Sequence, residues 1–103
     1  MVAFRALRFT PKAQPEVSTE EFKFDKDAAV ALIASKLEPL VGQIPGLLKM
    51  EIRRCFNGSD YALYSEFESR EALASYAVHP LHLAAKAQFH HMIASRVAAD
   101  YEV

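Results

Sequence analysis

Hydrophobic and polar residues alternate in some parts of the chain and recur every three or four residues in others, the spacings of strands and helices. Residues 2–9 alternate and predict a first strand. Arg5, Leu7 and Phe9 share one face of that strand, because successive strand residues point to opposite sides. The chain is therefore expected to begin with one strand of a sheet.

Residues 10–25 contain two prolines and predict a long connection after the first strand. Ser18 and Glu21 have the spacing of a capping box, so a short helical turn can start there. Phe22 and Phe24 need cover from water, and two roles remain open for them: a flap over a pocket, or packing on the core.

The first long helix is predicted over residues 27–43, with Asp25 or Asp27 as its cap. Gly42 and the following Pro-Gly pair are expected to end it. Its apolar residues step by three or four and form one stripe: Val30, Ile33, Leu37, Leu40, Val41 and Ile44.

A β-hairpin is predicted next. Leu48, Met50 and Ile52 alternate with charged residues and predict a half-buried strand that ends near residue 56. Asn57-Gly58 follows, and this pair favours the tight turns of hairpins. Residues 60–67 are the expected return strand.

The second helical region is predicted to break at a proline. Ser69 can cap a helix that runs to about residue 78. Pro80 fits best as the first residue of a further helix over 80–95, which makes His79 the bend between the two. Residues 96–103 are expected to form the last strand. The order β-α-β-β-α-β predicts an α+β, ferredoxin-like split βαβ subunit, with residues 1–103 as a single domain.

Composition excludes several classes of function. The net charge is −1 with 12 basic and 13 acidic residues, so no basic face for nucleic acid is expected. RNA recognition on such a sheet needs stacking aromatics in a basic setting, and Tyr64 is close to Glu66 instead. No apolar run is long enough to span a membrane. The single cysteine, Cys55, forms no intrachain disulfide and favours a cytoplasmic location.

The segment "SYAVHPLHLA" carries the candidate chemistry. His82 falls in the first turn after Pro80, where the helix dipole disfavours the imidazolium by about 0.3–1 kcal/mol. A neutral His82 can act as a base, with the Tyr76 hydroxyl donating to a carbonyl oxygen. The alternative is a structural role for Tyr76, His79 and His82, or a place for them in a non-catalytic pocket.

A metal site is the third alternative for these histidines. His79 and His82 have a plausible spacing, but a metal site wants three or four ligands. His90 lies about 12 Å further along a helix of 1.5 Å rise per residue, and His91 points in another direction. Neither a metal nor a cofactor is therefore expected.

Taken in order, several motifs resemble the stress-responsive dimeric α/β-barrel (Dabb) family. The motifs are Phe67-Glu68-Ser69 at a helix entry, Tyr76, His79-Pro80-x-His82, and Asp100-Tyr101 near the end. The resemblance extends over nearly the whole chain, with the Ile44-Pro45-Gly46 helix exit and the hairpin in the expected order.

The resemblance implies a ferredoxin-like subunit that pairs with a second copy to form a barrel and binds a small apolar or aromatic molecule. Its polyketide cyclases, of the type that makes olivetolic acid, imply catalytic roles for Tyr76 and His82 in aldol or enolisation chemistry. Phe89, Phe22, Phe24 and His79 are the candidate ligand-binding residues. A histidine typical of the family's first strand is absent here, where the sequence reads Ala3-Phe4-Arg5.

Overall fold

A computed structural model describes residues 2–11, 19–57 and 60–103, and it leaves the side chains of residues 19–27 undescribed. The strands are β1 (Ala3–Pro11), β2 (Leu47–Arg54), β3 (Tyr61–Phe67) and β4 (Ile93–Glu102). The helices are α1 (Thr19–Leu37), α2 (Arg70–Val78) and α3 (Pro80–Phe89), and a 3₁₀ turn follows α1 and another follows α3. No helix in these ranges is both long enough and apolar enough to cross a membrane.

The strands form one antiparallel sheet in the order β2-β3-β1-β4. β1 and β3 lie in the centre, so residues 3–9 of β1 are paired on both sides, with β3 and with β4. The connection from β1 to β2 passes through α1, and that from β3 to β4 passes through α2 and α3. This arrangement is the ferredoxin-like split βαβ fold, and it confirms the predicted α+β class.

The helices cover one face of the sheet, and the apolar side chains of that face form the core. Phe9, Leu63 and Phe67 project from the strands, and Ile33 and Leu37 meet them from α1; all five are buried. Strand alternation produces this pattern, since every second residue of β3 is buried. Burial of a side chain the size of Phe67 contributes about 1.5–3 kcal/mol.

The first helix begins earlier than the sequence pattern predicts. α1 starts at Thr19, inside the 10–25 segment assigned to a connection, so a cap at Asp25 or Asp27 is wrong. Because neither proline nor glycine interrupts the sequence between Thr19 and Leu37, nothing stops the helix from extending toward the N-terminus. Ser18, the predicted cap of a short helical turn, lies outside the described residues, and the helix that starts at Thr19 extends well beyond that turn.

The exit from α1 brings a loop against α2. Gly46 has a φ of +85°, and a Cβ built there would lie 2.6 Å from the Cβ of Ala72. The carbonyl of Gly46 accepts a 2.9 Å hydrogen bond from the N–H of Glu68. Glycine is therefore required twice at this position, for the backbone conformation and for the close approach.

Strand β2 contains an irregularity that changes which residues are buried. The register shifts between Leu47 and Lys49, so Leu47, Met50 and Ile52 face the core while Leu48 is exposed. The prediction that Leu48 shares a face with Met50 is wrong, because a bulge breaks the two-residue alternation. Pattern alone does not reveal such an insertion.

The hairpin itself is confirmed. β2 and β3 pair antiparallel. Just beyond their last paired residues, the N–H of Cys55 donates to the carbonyl of Asp60 at 3.0 Å. The predicted turn at Asn57-Gly58 falls partly outside the described residues. The last strand starts at Ile93 rather than residue 96, because β1 continues to Pro11 and pairs with Ile93 there.

Candidate functional site

A cavity of about 210 Å³ lies between the covered face of the sheet and the helices. Strands β1, β3 and β4 and helices α1, α2 and α3 all contribute to its lining. Its apolar wall includes Phe9, Ile33, Leu63 and Phe89. Of the predicted ligand-binding residues, Phe89 is buried and lines this cavity.

The junction of α2 and α3 positions the candidate tyrosine and histidine. Ser69 caps α2, where its Oγ accepts from the N–H of Ala72 at 3.1 Å. His79 has extended backbone angles, and Pro80 takes the first position of α3, as predicted. His79 Nδ1 accepts a 3.1 Å hydrogen bond from the N–H of Leu81 and so caps α3.

His79 is not among the residues that line the cavity. In the structure its side chain serves the helix junction, and its proposed part in ligand binding stays a prediction. The side chains of Phe22 and Phe24 lie outside the described residues, so the choice between flap and core packing stays open for them.

Tyr76 and His82 are brought together on the cavity wall. Tyr76 lies in the last turn of α2, is only 3% exposed, and its ring centroid is 4.2 Å from that of His82. The ring centroid of Phe67 lies 5.1 Å from that of Tyr76. Burial raises the pKa of Tyr76 to about 12, although the charge of Arg5 opposes the rise. The phenol therefore stays protonated at neutral pH and is available as a hydrogen-bond donor.

His82 is held in one orientation by a backbone contact. Its Nδ1 lies 3.3 Å from the carbonyl oxygen of Ala77. Because a carbonyl oxygen only accepts, Nδ1 carries the proton in this contact and Nε2 of the neutral ring keeps its lone pair. The arrangement suits a proton acceptor.

The environment of His82 disfavours its charged form. Burial is the main cause of a lowered pKa, and the nearby charges of Lys86, Arg5 and Arg96 add to it, while the contact with Ala77 opposes it. The sequence predicts a neutral His82 from the helix dipole alone. In the structure, burial is the main cause of the lowered pKa of His82, and the sequence pattern does not indicate it.

Two polar residues on the cavity floor are not identified as site residues from the sequence. Arg5 and Ser65 both line the cavity, and they are register partners on adjacent strands β1 and β3. The strand pattern places Arg5 on the same face as Leu7 and Phe9, which the structure confirms. That placement was the available signal, since a charged residue on an apolar, core-facing stripe needs a partner or a ligand.

Arg5 is fixed by Asp100 on the neighbouring strand β4. Its Nε and Nη2 donate to the two carboxylate oxygens at 2.8 and 3.0 Å. The hydrogen bond from Arg5 is also the main reason that the pKa of Asp100 is lowered. Asp100 is the first residue of the closing Asp-Tyr motif, and it therefore orients the Arg5 side chain on the cavity floor.

The other face of the sheet carries no helix among the described residues. Phe4 stacks on Tyr64 and Tyr101 there, with centroid distances of 6.0 and 5.1 Å. At one end of this face Glu51 lies 4.0 Å from Lys49 and 3.6 Å from Arg53. This open face thus has an aromatic centre beside a charged margin.

No cluster of three or more His, Cys, Asp or Glu side chains able to hold a metal ion occurs within the described ranges. His90 and His91 have ring centroids 6.1 Å apart in an edge-on arrangement.

Comparison with solved structures identifies the same fold in other proteins. A dimeric ferredoxin-like protein of unknown function from Bacteroides fragilis is 28% identical, with a TM-score of 0.77 over 99% of this chain and 96% of that one. A Dabb family protein from Mesorhizobium loti is 16% identical, with a TM-score of 0.73 over 99% and 96% of the two chains. The cofactor-independent oxygenase SnoaB from Streptomyces nogalater is 12% identical, with a TM-score of 0.68 over 99% and 92%.

No curated protein matches the sequence. The family comparison is positive: the stress responsive A/B barrel domain matches residues 19–103, which include α1 and everything after it. The helix junction, the Tyr76–His82 pair and the closing Asp100-Tyr101 motif all fall within that match. The chain therefore belongs to the stress responsive A/B barrel domain (Dabb) family.

Proposed function

We propose that this protein is a homodimeric Dabb protein that binds a small apolar or aromatic molecule in the cavity between its sheet and its helices. The observation that carries the proposal is the cavity itself, which joins an apolar wall to a small set of polar groups. Pockets for small molecules have this composition. The chain is proposed to act as one domain over residues 1–103, in the cytoplasm.

The size of the cavity limits the ligand. An apolar cavity of about 150 Å³ is large enough to bind benzene. A volume of about 210 Å³ therefore suits one aromatic ring with a few additional atoms. Burial of such a ring against Phe9, Leu63 and Phe89 would supply most of the binding free energy.

The open face supports the homodimer. Tyr101 is 49% exposed and Val97 is 75% exposed, although both lie on a strand that is paired in the sheet. An exposed apolar and aromatic sheet face is typical of an interaction surface. The Bacteroides fragilis and Jannaschia relatives in structure are described as dimeric, which agrees with this role.

Light scattering tests the dimer. Wild-type protein at micromolar concentration should have the mass of two chains, and Tyr101→Asp should shift it toward one. Leu83→Asp is the matched control, because Leu83 is a similarly exposed residue on the helical side. A monomeric wild type, or equal effects of both substitutions, would contradict the proposed interface.

A second candidate is cofactor-free acid–base chemistry of the polyketide-cyclase kind. It is favoured by one observation: His82 is oriented through Nδ1 while its ring lies 4.2 Å from that of Tyr76. In an enolisation, Nε2 of His82 would take the proton from the carbon beside a carbonyl group. The Tyr76 hydroxyl would donate to the oxygen as it gains negative charge.

Deuterium exchange tests this chemistry without a known substrate. Acetophenone exchanges its methyl protons in deuterium oxide through the enolate, and NMR follows the rate. Wild type should accelerate the exchange, His82→Ala should lower the acceleration by about 10²–10⁴-fold, and Tyr76→Phe should also reduce it. His91→Ala is the control, since His91 does not line the cavity. Equal rates in wild type and His82→Ala would remove the catalytic candidate and leave the binding function standing.

A further inference from the structure

The cavity floor holds a hydroxyl group that has no hydrogen-bond partner in the part of the chain that the structure describes. Ser65 is fully buried in β3, and its Oγ makes no hydrogen bond to any atom of the described residues. Buried polar groups are nearly always hydrogen-bonded, because an unpaired group loses its contacts with water and gains nothing in return. Since Ser65 lines the cavity, a molecule bound there is the available partner for its hydroxyl.

Arg5 lies next to this hydroxyl with donors to spare. Ser65 and Arg5 are paired across β3 and β1, and both line the cavity. The contacts with Asp100 use Nε and one hydrogen of Nη2, so Nη1 and the second hydrogen of Nη2 are not engaged by that carboxylate. Asp100 also holds the guanidinium in place, which lowers the entropic cost of using its remaining donors.

The charges around the cavity point to an anion. The charged side chains in its lining are Arg5, Lys86 and Arg96, and no aspartate or glutamate lines it in the described part of the chain. Lys86 and Arg96 are exposed, so they mark its mouth, whereas Arg5 lies on the floor. The whole chain has a net charge of −1, so this local excess of cations is a property of the site.

We infer that Ser65 and Arg5 form an oxyanion-binding subsite on the cavity floor, and that the ligand is a small aromatic carboxylate. The Ser65 hydroxyl and the free N–H groups of Arg5 donate to the carboxylate. The ring lies against the apolar wall near Phe89. Lys86 and Arg96, at the mouth of the cavity, attract the anion from solution before it binds on the floor. Arginine suits this role because its planar donors match a carboxylate. This inference rests on the proposed ligand-binding function and adds the chemical class of the ligand.

Calorimetry with two probes of equal shape tests the subsite. At neutral pH, 4-methylbenzoate is charged and 4-methylbenzamide is not. Wild type should bind the benzoate at least tenfold more tightly than the amide. Ser65→Ala should weaken benzoate binding by about tenfold, which is about 1.4 kcal/mol, and Arg5→Gln should weaken it further. Ser35→Ala is the control, because Ser35 is an exposed serine of α1 whose hydroxyl donates to Leu32.

A thermal readout separates the subsite from a structural role for Ser65. Ser65→Ala removes an unpaired buried hydroxyl, so the melting temperature of the ligand-free protein should stay equal or rise, while the benzoate-induced increase should shrink. A lowered melting temperature with unchanged benzoate affinity would overturn the inference and show a structural hydroxyl.

The remaining outcomes are distinct. If benzamide binds as tightly as benzoate, the carboxylate class is wrong and the proposed apolar pocket stands. If Lys86→Gln or Arg96→Gln abolishes the preference for benzoate and Ser65→Ala does not, the anion lies at the mouth and the floor subsite is wrong. If neither compound binds wild type, the ligand-binding function fails together with the inference.

Discussion

The two faces of one sheet use the same strands for opposite purposes. On the covered face, β1 and β3 place Arg5 beside Ser65. Arg5 is paired with Asp100, whereas the buried Ser65 hydroxyl has no hydrogen-bond partner among the described residues. On the open face, one residue away in β1, Phe4 joins Tyr101 in an aromatic group that water does reach. Polar groups under cover and aromatic groups in the open both indicate missing partners, a small molecule in the first case and a protein in the second.

The largest expected difference between the faces concerns stability. Phe67→Ala on the covered face should lower the free energy of unfolding by about 3–5 kcal/mol, because a fully buried aromatic ring leaves a cavity. Tyr101→Ala should cost much less in unfolding and should act mainly on dimer mass. Denaturant unfolding together with light scattering measures both effects. Similar unfolding losses for the two variants would break the distinction between the faces.

A smaller effect is expected where the covered face meets the loop before β2. Gly46→Ala should destabilise the protein by about 2–3 kcal/mol, since it combines a positive φ, worth about 1–2 kcal/mol, with a contact of 2.6 Å to Ala72. Gly42→Ala is the matched control, because Gly42 has a φ of +92° but open space around it. Denaturant unfolding should rank Gly46→Ala as the worse variant, and the reverse order would contradict the packing described here.

The smallest expected effect is a pH dependence that belongs to the covered face alone. The folded pKa of His82 lies below its ordinary value of 6.5, so the unfolded chain binds more protons in the interval between the two values. Stability should therefore fall as the pH is lowered below about 6.5. The groups near His82 are the Tyr76 ring and the side chains of Arg5, Lys86 and Arg96.

Denaturant unfolding between mildly acidic and neutral pH measures this effect. His82→Gln should flatten the pH dependence in that interval, while His91→Ala should leave it as in wild type. An unchanged slope in His82→Gln would show that His82 is not the group responsible.

Local signals in the sequence predict much of the fold. The Ser69 cap, the bend at His79 and Pro80 at the first helical position depend on neighbouring residues only, and the structure agrees with each of them. The bulge at Leu48 depends on pairing between strands. α1 starts at Thr19, where the Ser18–Glu21 spacing predicts only a short helical turn, and no local signal indicates that this turn continues into the long helix.

The candidate site was predicted only in part, because its members come from distant elements. The spacing in the "SYAVHPLHLA" segment is enough to place Tyr76 near His82. The role of Ser65 follows from a buried hydroxyl that has no hydrogen-bond partner among the described residues, and only the packed structure reveals this. The neighbours of Arg5 depend on the register of β1 with β3 and β4, which places Ser65 on one side of Arg5 and Asp100 on the other.

The most direct test of the central claim is a crystal structure of the protein with 4-methylbenzoate. We expect the aromatic ring inside the cavity between sheet and helices, with the carboxylate within about 3 Å of Ser65 Oγ and the guanidinium of Arg5. A cavity that stays free of the compound at saturating concentration, or a carboxylate held only by Lys86 and Arg96 at the mouth, would contradict it.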